Sequence, residues 1–536
     1  MIKKHKKWNV WIISYIFILC WFVPVQGEVI IPDQIHIGLK QYFNNVKKIV
    51  IKNTSLVLGY EVGNQWMVET IFESSAGYEV QPAPGQYYFI SQATFSTYKD
   101  ALNQSQLLSK VGLEGVLVYP MYVEPGYWRI DVGGFANLQQ MQEIQSKLSV
   151  SDLSFIQDTE KNRRILFRGG EGISFFVSGE KLVPIFGTGD EKNGVAIWDI
   201  EGRLYRGKMT FHRLDEEGVT PVNVLPFEEY LYGVVPAEII PSWPMESLKA
   251  QAVAARNYAL YQLYYTRKYE QEPYDLCDTT ISQVYKGYSV ENPRTTQAVN
   301  ETQGKLLYHQ NELVATYYFS SSGGHTEDSE NVWSGAVAYL RGVPDLYETA
   351  PEVGFWRQVL TNKEIEQLLK KNGVDIGEVM DVNVVGYTSS GRALELRITG
   401  TKGDHFLKKE TMRYWLDLKS RKFQLVKNQG LSSTFVYTTG NWGSDKKSKA
   451  LENLFVVGEN QMTRTIINKD QSIVVKGEKN MKIYSLMSAP KDGFVFEGQG
   501  WGHGVGMSQS GARGMAEKGY TYDQILTYYY SGTTLR

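Results

Sequence analysis

An α+β fold is predicted by three observations: short apolar–polar alternations at two separate places in the first 225 residues, an Ala-rich helical stretch after Pro244, and a strand-plus-helix pattern that recurs at a 40-residue offset. From Glu28 to about Val80, the runs I-H-I-G-L, K-K-I-V-I-K and S-L-V-L-G-Y carry the period of two that half-buried strands require. The pattern resumes from Arg164 to Asn223 in I-L-F-R, I-S-F-F-V, V-A-I-W-D-I and K-M-T-F-H-R. Between them, after Pro82-Ala83-Pro84-Gly85, Y-Y-F-I-S-Q-A-T-F-S (87–96) and Y-W-R-I-D-V-G-G-F-A (127–136) each predict a strand ending in Phe. Helical stretches follow each of them, at Tyr98–Val111 and Leu138–Leu148. A strand and a helix twice over imply a small sheet backed by two helices, set within or just before the β-rich part.

The segment 226–261, P-F-E-E-Y-L-Y-G-V-V-P-A-E-I-I-P-S-W-P-M-E-S-L-K-A-Q-A-V-A-A-R-N-Y-A-L-Y, places one carboxylate, Glu238, between Pro236 and Pro241. Proline lacks an N–H and restricts the residue before it, so a stiff, non-helical turn is expected around this Glu, with Trp243 nearby. Pro244 suits the first turn of a helix running to about Leu263. On that helix Lys249 and Arg256 are two turns apart and share a face about 10 Å long, while Leu248, Ala252, Ala255 and Ala259 form an apolar core face. Further along, V-Y-K-G-Y (284–288) precedes a helix at Thr295–Thr302. Strands are expected at Leu306–Tyr308 and Leu313–Phe319, and Thr361 starts a helix over Asn362–Asn372. The polar, Lys-rich stretch Leu425–Lys491 reads as a long hairpin or surface insertion.

The 536 residues, 42% hydrophobic and 21% charged, are ordinary globular composition with room for a sizeable core. A net charge of −2 argues against a nucleic-acid partner, which normally requires a basic face. Lys3, Lys4, Lys6 and Lys7 precede an apolar run from Trp8 to Val25, broken by Pro24 and ending in V-Q-G (25–27). This is an export signal cleaved after Gly27, or an uncleaved membrane anchor through residues 8–25 with the body outside. Cys20 follows Leu19 rather than a small residue, which speaks against lipid attachment. Cys277 is then the single thiol of the mature chain, so no intramolecular disulfide can form.

Three motifs in one order, L-Y-G-V-V-P-A-E-I, S-W-P-M-E-S-L-K-A-Q-A-V-A-A-R and G-Q-G-W-G-H-G-V-G-M-S-Q (498–509) followed by G-A-R-G-M-A, resemble the stage II sporulation protein D / LytB family of peptidoglycan lytic transglycosylases. The strand–helix repeat resembles the sporulation-related repeat (SPOR) domain, a module that binds glycan strands stripped of peptides. The resemblance implies a β-rich family domain whose central helix carries the cleft, plus a small α+β module. It divides the chain into a signal or anchor (1–27), an N-terminal β region of the family domain (28–85), the SPOR-like module (86–149) and the catalytic domain (150–536).

The family's catalytic acid maps onto Glu238. Ordinary glycosidases use two carboxylates about 5–9.5 Å apart. A lytic transglycosylase manages with one, because the muramic acid's own C6 hydroxyl attacks and closes a 1,6-anhydro ring, so a single Glu can act first as acid and then as base. Desolvation by Trp243, Pro236 and Pro241 is expected to raise its pKa. The expected substrate contacts are Lys249, Gln251 and Arg256 on the helix, Gln283 and Tyr285 in S-Q-V-Y-K-G, Ser322 and His325 in S-S-S-G-G-H-T-E-D, and His503 and Gln509 in the Gly-rich run. That run is not a dinucleotide fingerprint, since Gly502, Gly504 and Gly506 alternate and no βαβ unit precedes them, nor a G-x-S-x-G elbow, since residue 510 is Ser.

Some family members bind zinc through a Cys and a His five residues apart at the segment matching C-D-T-T-I-S-Q (277–283). Here Ser282 stands in the His position, so no metal and no cofactor are expected. Phe319 stands where many relatives have His, and Ser510 where many have Tyr. The implied partners are peptidoglycan glycan strands and a cell-wall amidase. Two functions stay open: a lytic transglycosylase, or a non-catalytic glycan-binding enhancer of an amidase. The intact P-A-E-I favours the enzyme.

Overall fold

The computed structural model describes residues 29–426 and 492–536, apart from 64, 111–114, 149–154, 159–161, 180–182, 216 and 349–353, together with strand segments within 427–491. The N-terminal segment expected to direct export lies outside the described residues. No helix among those described is long and apolar enough to cross a membrane.

The strands expected on either side of the inserted module come together. Gln34–Gly38 pairs antiparallel with Thr220–Pro226, with Ile35 opposite Leu225, and Ile185–Gly187 pairs antiparallel with Ser55–Val62. These belong to one seven-stranded sheet, completed by Lys208–His212, the short Leu276–Cys277 and the outer strand Gln65–Glu73. Its inner face is aromatic and aliphatic: Phe186 and Phe211 pack with Phe167 of the neighbouring sheet at centroid distances of 4.7 and 5.3 Å.

The module is a strand–helix–strand–strand–helix–strand unit made of Tyr87–Ser91, Tyr98–Leu108, Leu117–Glu124, Tyr127–Phe135, Leu138–Leu148 and Phe155–Asp158. Its four strands lie in the spatial order second, third, first, fourth. The fourth strand extends the unit past the boundary expected at 149. Phe89, Val118, Ile130 and Val132 form a core with Leu108 and Met141 of the two helices. The opposite face meets the rest of the chain through Tyr88, Met121, Leu166 and Phe176, and Leu117–Glu124 continues in parallel into Ser174–Ser178. Buried Asp131 ties the two parts, accepting from Arg129 at 2.7 Å and Arg164 at 2.5 Å.

Thr220–Pro226 runs directly into a helix, Phe227–Glu238, and Pro244 caps a second one, Met245–Tyr261. The second helix is buried almost all round. Besides Leu248, Ala252, Ala255 and Ala259, the residues Ala250, Gln251, Val253, Ala254 and Arg256 are inaccessible to solvent. Around it pack Leu307, Val314, Val505, Met507, Met515, Ile525 and Tyr529, so the chain's C-terminal end closes over its central helix.

A further lobe has its own core, Leu360, Ile365, Leu369, Val382, Leu396, Ile398, Leu407, Met412 and Phe496. The helix expected after Thr361 is there as Asn362–Lys371, started by a reciprocal cap between Thr361 and Glu364. Within 427–491 the described strands pair as three hairpins, 435–438 with 447–450, 456–458 with 461–463 and 472–476 with 481–485.

Candidate functional site

Glu238 is the last residue of a twelve-residue helix, not of an isolated turn. Pro236 lies inside that helix because a proline in the final turn forfeits one bond, to the Tyr232 carbonyl, while Val235 still receives the Ile239 N–H at 3.0 Å. Ile239, at φ −132° and ψ 150°, then swings the chain into extended backbone. The rigid presentation expected from the prolines is supplied by a helix end about 18 Å from the sheet edge where the helix begins.

The half-buried Glu238 carboxyl is held from three directions. Its Oε1 accepts the Val284 backbone N–H at 3.1 Å, the Tyr318 hydroxyl donates to it, and Lys286 acts on it through space. Burial pushes its pKa above the usual glutamate value, and the Val284, Lys286 and Tyr318 contributions pull back without cancelling the rise. No second carboxylate acts on it among the described residues. Trp243 lies under Arg513 at 5.3 Å, and its carbonyl accepts from Arg294 at 2.8 Å.

Gln283 links the groups around Glu238. Its Nε2 faces the Ala255 carbonyl at 3.3 Å and the Tyr318 hydroxyl at 3.0 Å, and its Oε1 accepts from Tyr230 at 3.2 Å. A carbonyl can only accept, so Ala255 fixes which amide atom is nitrogen. Tyr318 therefore accepts from Gln283 and turns its own proton toward Glu238. Burial, with the nearby Glu238 charge, holds the Tyr318 phenol far above its ordinary pKa and keeps it protonated.

Gln509 and Gln251 meet behind the helix end. Gln509 donates from Nε2 to the Glu238 backbone carbonyl at 3.0 Å and to the Gln251 Oε1 at 3.3 Å. Both are buried, so they brace the acid's backbone. His503 packs among Phe319, Trp333 and Tyr317 at 5.5, 5.4 and 6.3 Å. Its Nδ1 accepts the Val505 N–H at 3.0 Å, which leaves the proton on Nε2. Burial lowers its pKa to about 4, so the ring is neutral at pH 7.

The cationic face expected from Lys249 and Arg256 does not form. Arg256 is wholly buried and gives both arms of its guanidinium to Glu228 at 2.8 and 2.7 Å, with Val299 O at 3.3 Å. Lys249 pairs with Glu301 at 2.8 Å and Glu246 at 3.1 Å. Buried Arg256 is satisfied inside the protein, and part-exposed Lys249 is committed to two carboxylates, so neither is left free for a ligand. Tyr285 likewise lies under the acid helix, its hydroxyl on Asn223 at 2.7 Å. Ser322 is buried against Glu348 at 3.2 Å, and His325 turns Nδ1 to the Thr326 carbonyl at 2.7 Å.

Cys277 is buried, with the hydroxyls of Thr279, Tyr269 and Ser282 at 3.2, 3.3 and 3.4 Å from its sulfur. Burial pushes the thiol up, but these hydroxyls together bring it below the ordinary value. Ser282 thus serves as a hydrogen-bond partner to the sulfur. Among the described residues, no three His, Cys, Asp or Glu side chains are grouped to hold a metal ion.

Sequence reasoning missed Tyr318 and Lys286. Both lie inside quoted segments, Tyr318 directly before the flagged Phe319 and Lys286 in S-Q-V-Y-K-G, but nothing local reveals that the two segments converge on one carboxylate.

The stage II sporulation protein family matches residues 215–309, the stretch holding the acid helix, the central helix and Gln283, and a domain of unknown function matches residues 328–444. An uncharacterised protein of Brachyspira hyodysenteriae is 30% identical over 336 residues, covering 63% of this chain and 73% of that protein. The amidase enhancer of Bacillus subtilis is 31% identical over 313 residues, 57% of this chain and 40% of the enhancer. Stage II sporulation protein D of Bacillus subtilis is 28% identical over 326 residues, 59% of this chain and 75% of that protein. The site geometry and these matches agree: the chain belongs to the stage II sporulation protein D / LytB family.

Proposed function

We propose that this protein is a peptidoglycan lytic transglycosylase, cleaving the β-1,4 bond between MurNAc and GlcNAc in peptide-free glycan strands and leaving 1,6-anhydro-MurNAc ends. The observation that carries the proposal is Glu238: one carboxyl with a raised pKa, on a fixed helix end, with a neutral tyrosine donor and no carboxylate partner among the described residues. As the protonated form it donates to the glycosidic oxygen. The carboxylate so formed, steadied by Tyr318, Val284 and Lys286, then accepts the C6 hydroxyl proton as that oxygen closes on the anomeric carbon. The two transfers balance, and the acid is regenerated.

The relatives named for sporulation support a role in cell-wall remodelling during sporulation, carried out by an exported protein at the outer face of the cytoplasmic membrane or in the wall. The unit of residues 87–158 is proposed to hold the glycan strand in the manner of a SPOR domain, raising the local substrate concentration at the cleft. A second function, a non-catalytic glycan-binding enhancer of a cell-wall amidase, is favoured by the relative of that name. The test is digestion of peptide-free strands with products read by mass spectrometry. Glu238→Gln should lose anhydro-sugar production by about 10²-fold or more while remaining folded. Wild-type product from that variant rules out the transglycosylase and leaves the enhancer.

A further inference from the structure

The domain of unknown function reaches the cleft at two loops. Arg392 donates to the carbonyls of Ser322 at 2.9 Å and His325 at 2.8 Å, and Lys422 to that of Gly323 at 2.6 Å. Three successive anchor points thereby fix the loop that follows Tyr318. On the Gly-rich loop, the Gly502 N–H donates to Lys419 O at 2.9 Å, the Gln499 N–H to Lys422 O at 2.8 Å, and the Ser420 hydroxyl to Gln499 O at 2.6 Å. A side chain at Gly504 would strike the Arg392 guanidinium at 2.6 Å, so the glycine permits this close approach.

Out of this rigid seam stands Trp501. Its backbone exchanges both hydrogen bonds with Ser321, at 2.8 and 3.2 Å, yet the residue is 48% exposed. The Lys419 ammonium lies 4.4 Å from the indole ring. Lys419 is exposed and has no carboxylate partner among the described residues. Ser321 is three residues from Tyr318, whose hydroxyl touches Glu238, so Trp501 is bonded to a residue within about 10 Å of the Tyr318 backbone. An indole fixed by its backbone, beside an uncommitted cation, is suited to a ligand that is apolar on one face and anionic at one edge.

We propose that Trp501 and Lys419 form a subsite for a sugar bearing a free carboxylate, the lactyl group of a peptide-free muramoyl residue. The indole takes the C–H face of the ring and the ammonium takes the carboxylate. When a stem peptide is attached, that carboxylate is an uncharged amide and Lys419 loses its partner, so the pair selects stripped strands. The domain of unknown function thereby supplies a specificity element of the cleft. The inference rests on the glycan assignment above.

Binding is measured in the Glu238→Gln protein, so that turnover plays no part, with two probes: a peptide-free GlcNAc–MurNAc tetrasaccharide and chitotetraose, which has no lactyl group. Adding Lys419→Gln should weaken the muramoyl sugar about fivefold, more at low salt than at high, and leave chitotetraose unchanged. Adding Trp501→Ala should weaken both. Equal affinities with and without Lys419→Gln overturn the subsite while leaving the glycan assignment standing, whereas no binding of either sugar to the Glu238→Gln protein overturns both.

Discussion

The side-chain amide of Gln283 donates to the hydroxyl of Tyr318 at 3.0 Å, and this single bond sets the direction of the Tyr318 proton, toward Glu238. A donor to a carboxylate favours its charged form, so Tyr318 moderates the rise in pKa that burial imposes. It also fixes the carboxyl in one orientation.

Tyr318→Phe should therefore raise the Glu238 pKa further and move the alkaline limb of the pH–rate profile upward by about one unit. Turnover at the optimum should fall by about tenfold, as the carboxyl loses its orienting bond. The check is a pH series on peptide-free strands, and an unmoved limb would show that Tyr318 only fills space.

Glu238→Gln should stabilise the fold at neutral pH. The folded pKa lies above the unfolded value, so between the two the folded protein binds more protons and stability falls as pH rises. Glutamine carries no charge to desolvate. The variant should melt above the wild type at pH 7–8, with the difference closing below about pH 4, where both states of the wild-type acid are protonated. Thermal melts across that range decide it.

Arg256→Met should cost about 3–5 kcal/mol in denaturant unfolding, because it leaves the Glu228 carboxylate without its bidentate partner. Arg256→Lys should restore little, since an ammonium cannot make both bonds in that geometry. A variant of unchanged stability but raised KM would return Arg256 to the substrate.

His503 should make the wild type acid-sensitive. Its folded pKa, about 4, is below the ordinary 6.5, so as pH falls through that window the unfolded state takes up protons that the folded state refuses, and stability is lost. His503→Asn removes the titration and can keep an acceptor near the Val505 N–H. Its deficit relative to the wild type should be largest at pH 7–8 and shrink toward pH 4, as followed by melting temperature.

Periodicity and proline placement determined much of this protein before any folding: the paired β regions, the strand–helix repeat, the buried helix after Pro244, the helix after Thr361, and Glu238 as the one carboxylate in a distinctive setting. These are local properties, written in spacings of two and 3.6 residues and in missing N–H groups. Local pattern could not say that the turn at Glu238 is the last turn of a helix, because a proline there costs only one bond. Only the tertiary structure decided what surrounds the acid. Val284, Tyr318 and the Gln509 amide reach Glu238 from 46, 80 and 271 residues away. The same holds for Arg256, whose place on the helix suggested a ligand face until packing on every side buried it against Glu228. Charge and spacing show where a side chain can point, but the desolvation that raises one pKa and forces another group into an ion pair depends on everything folded around it.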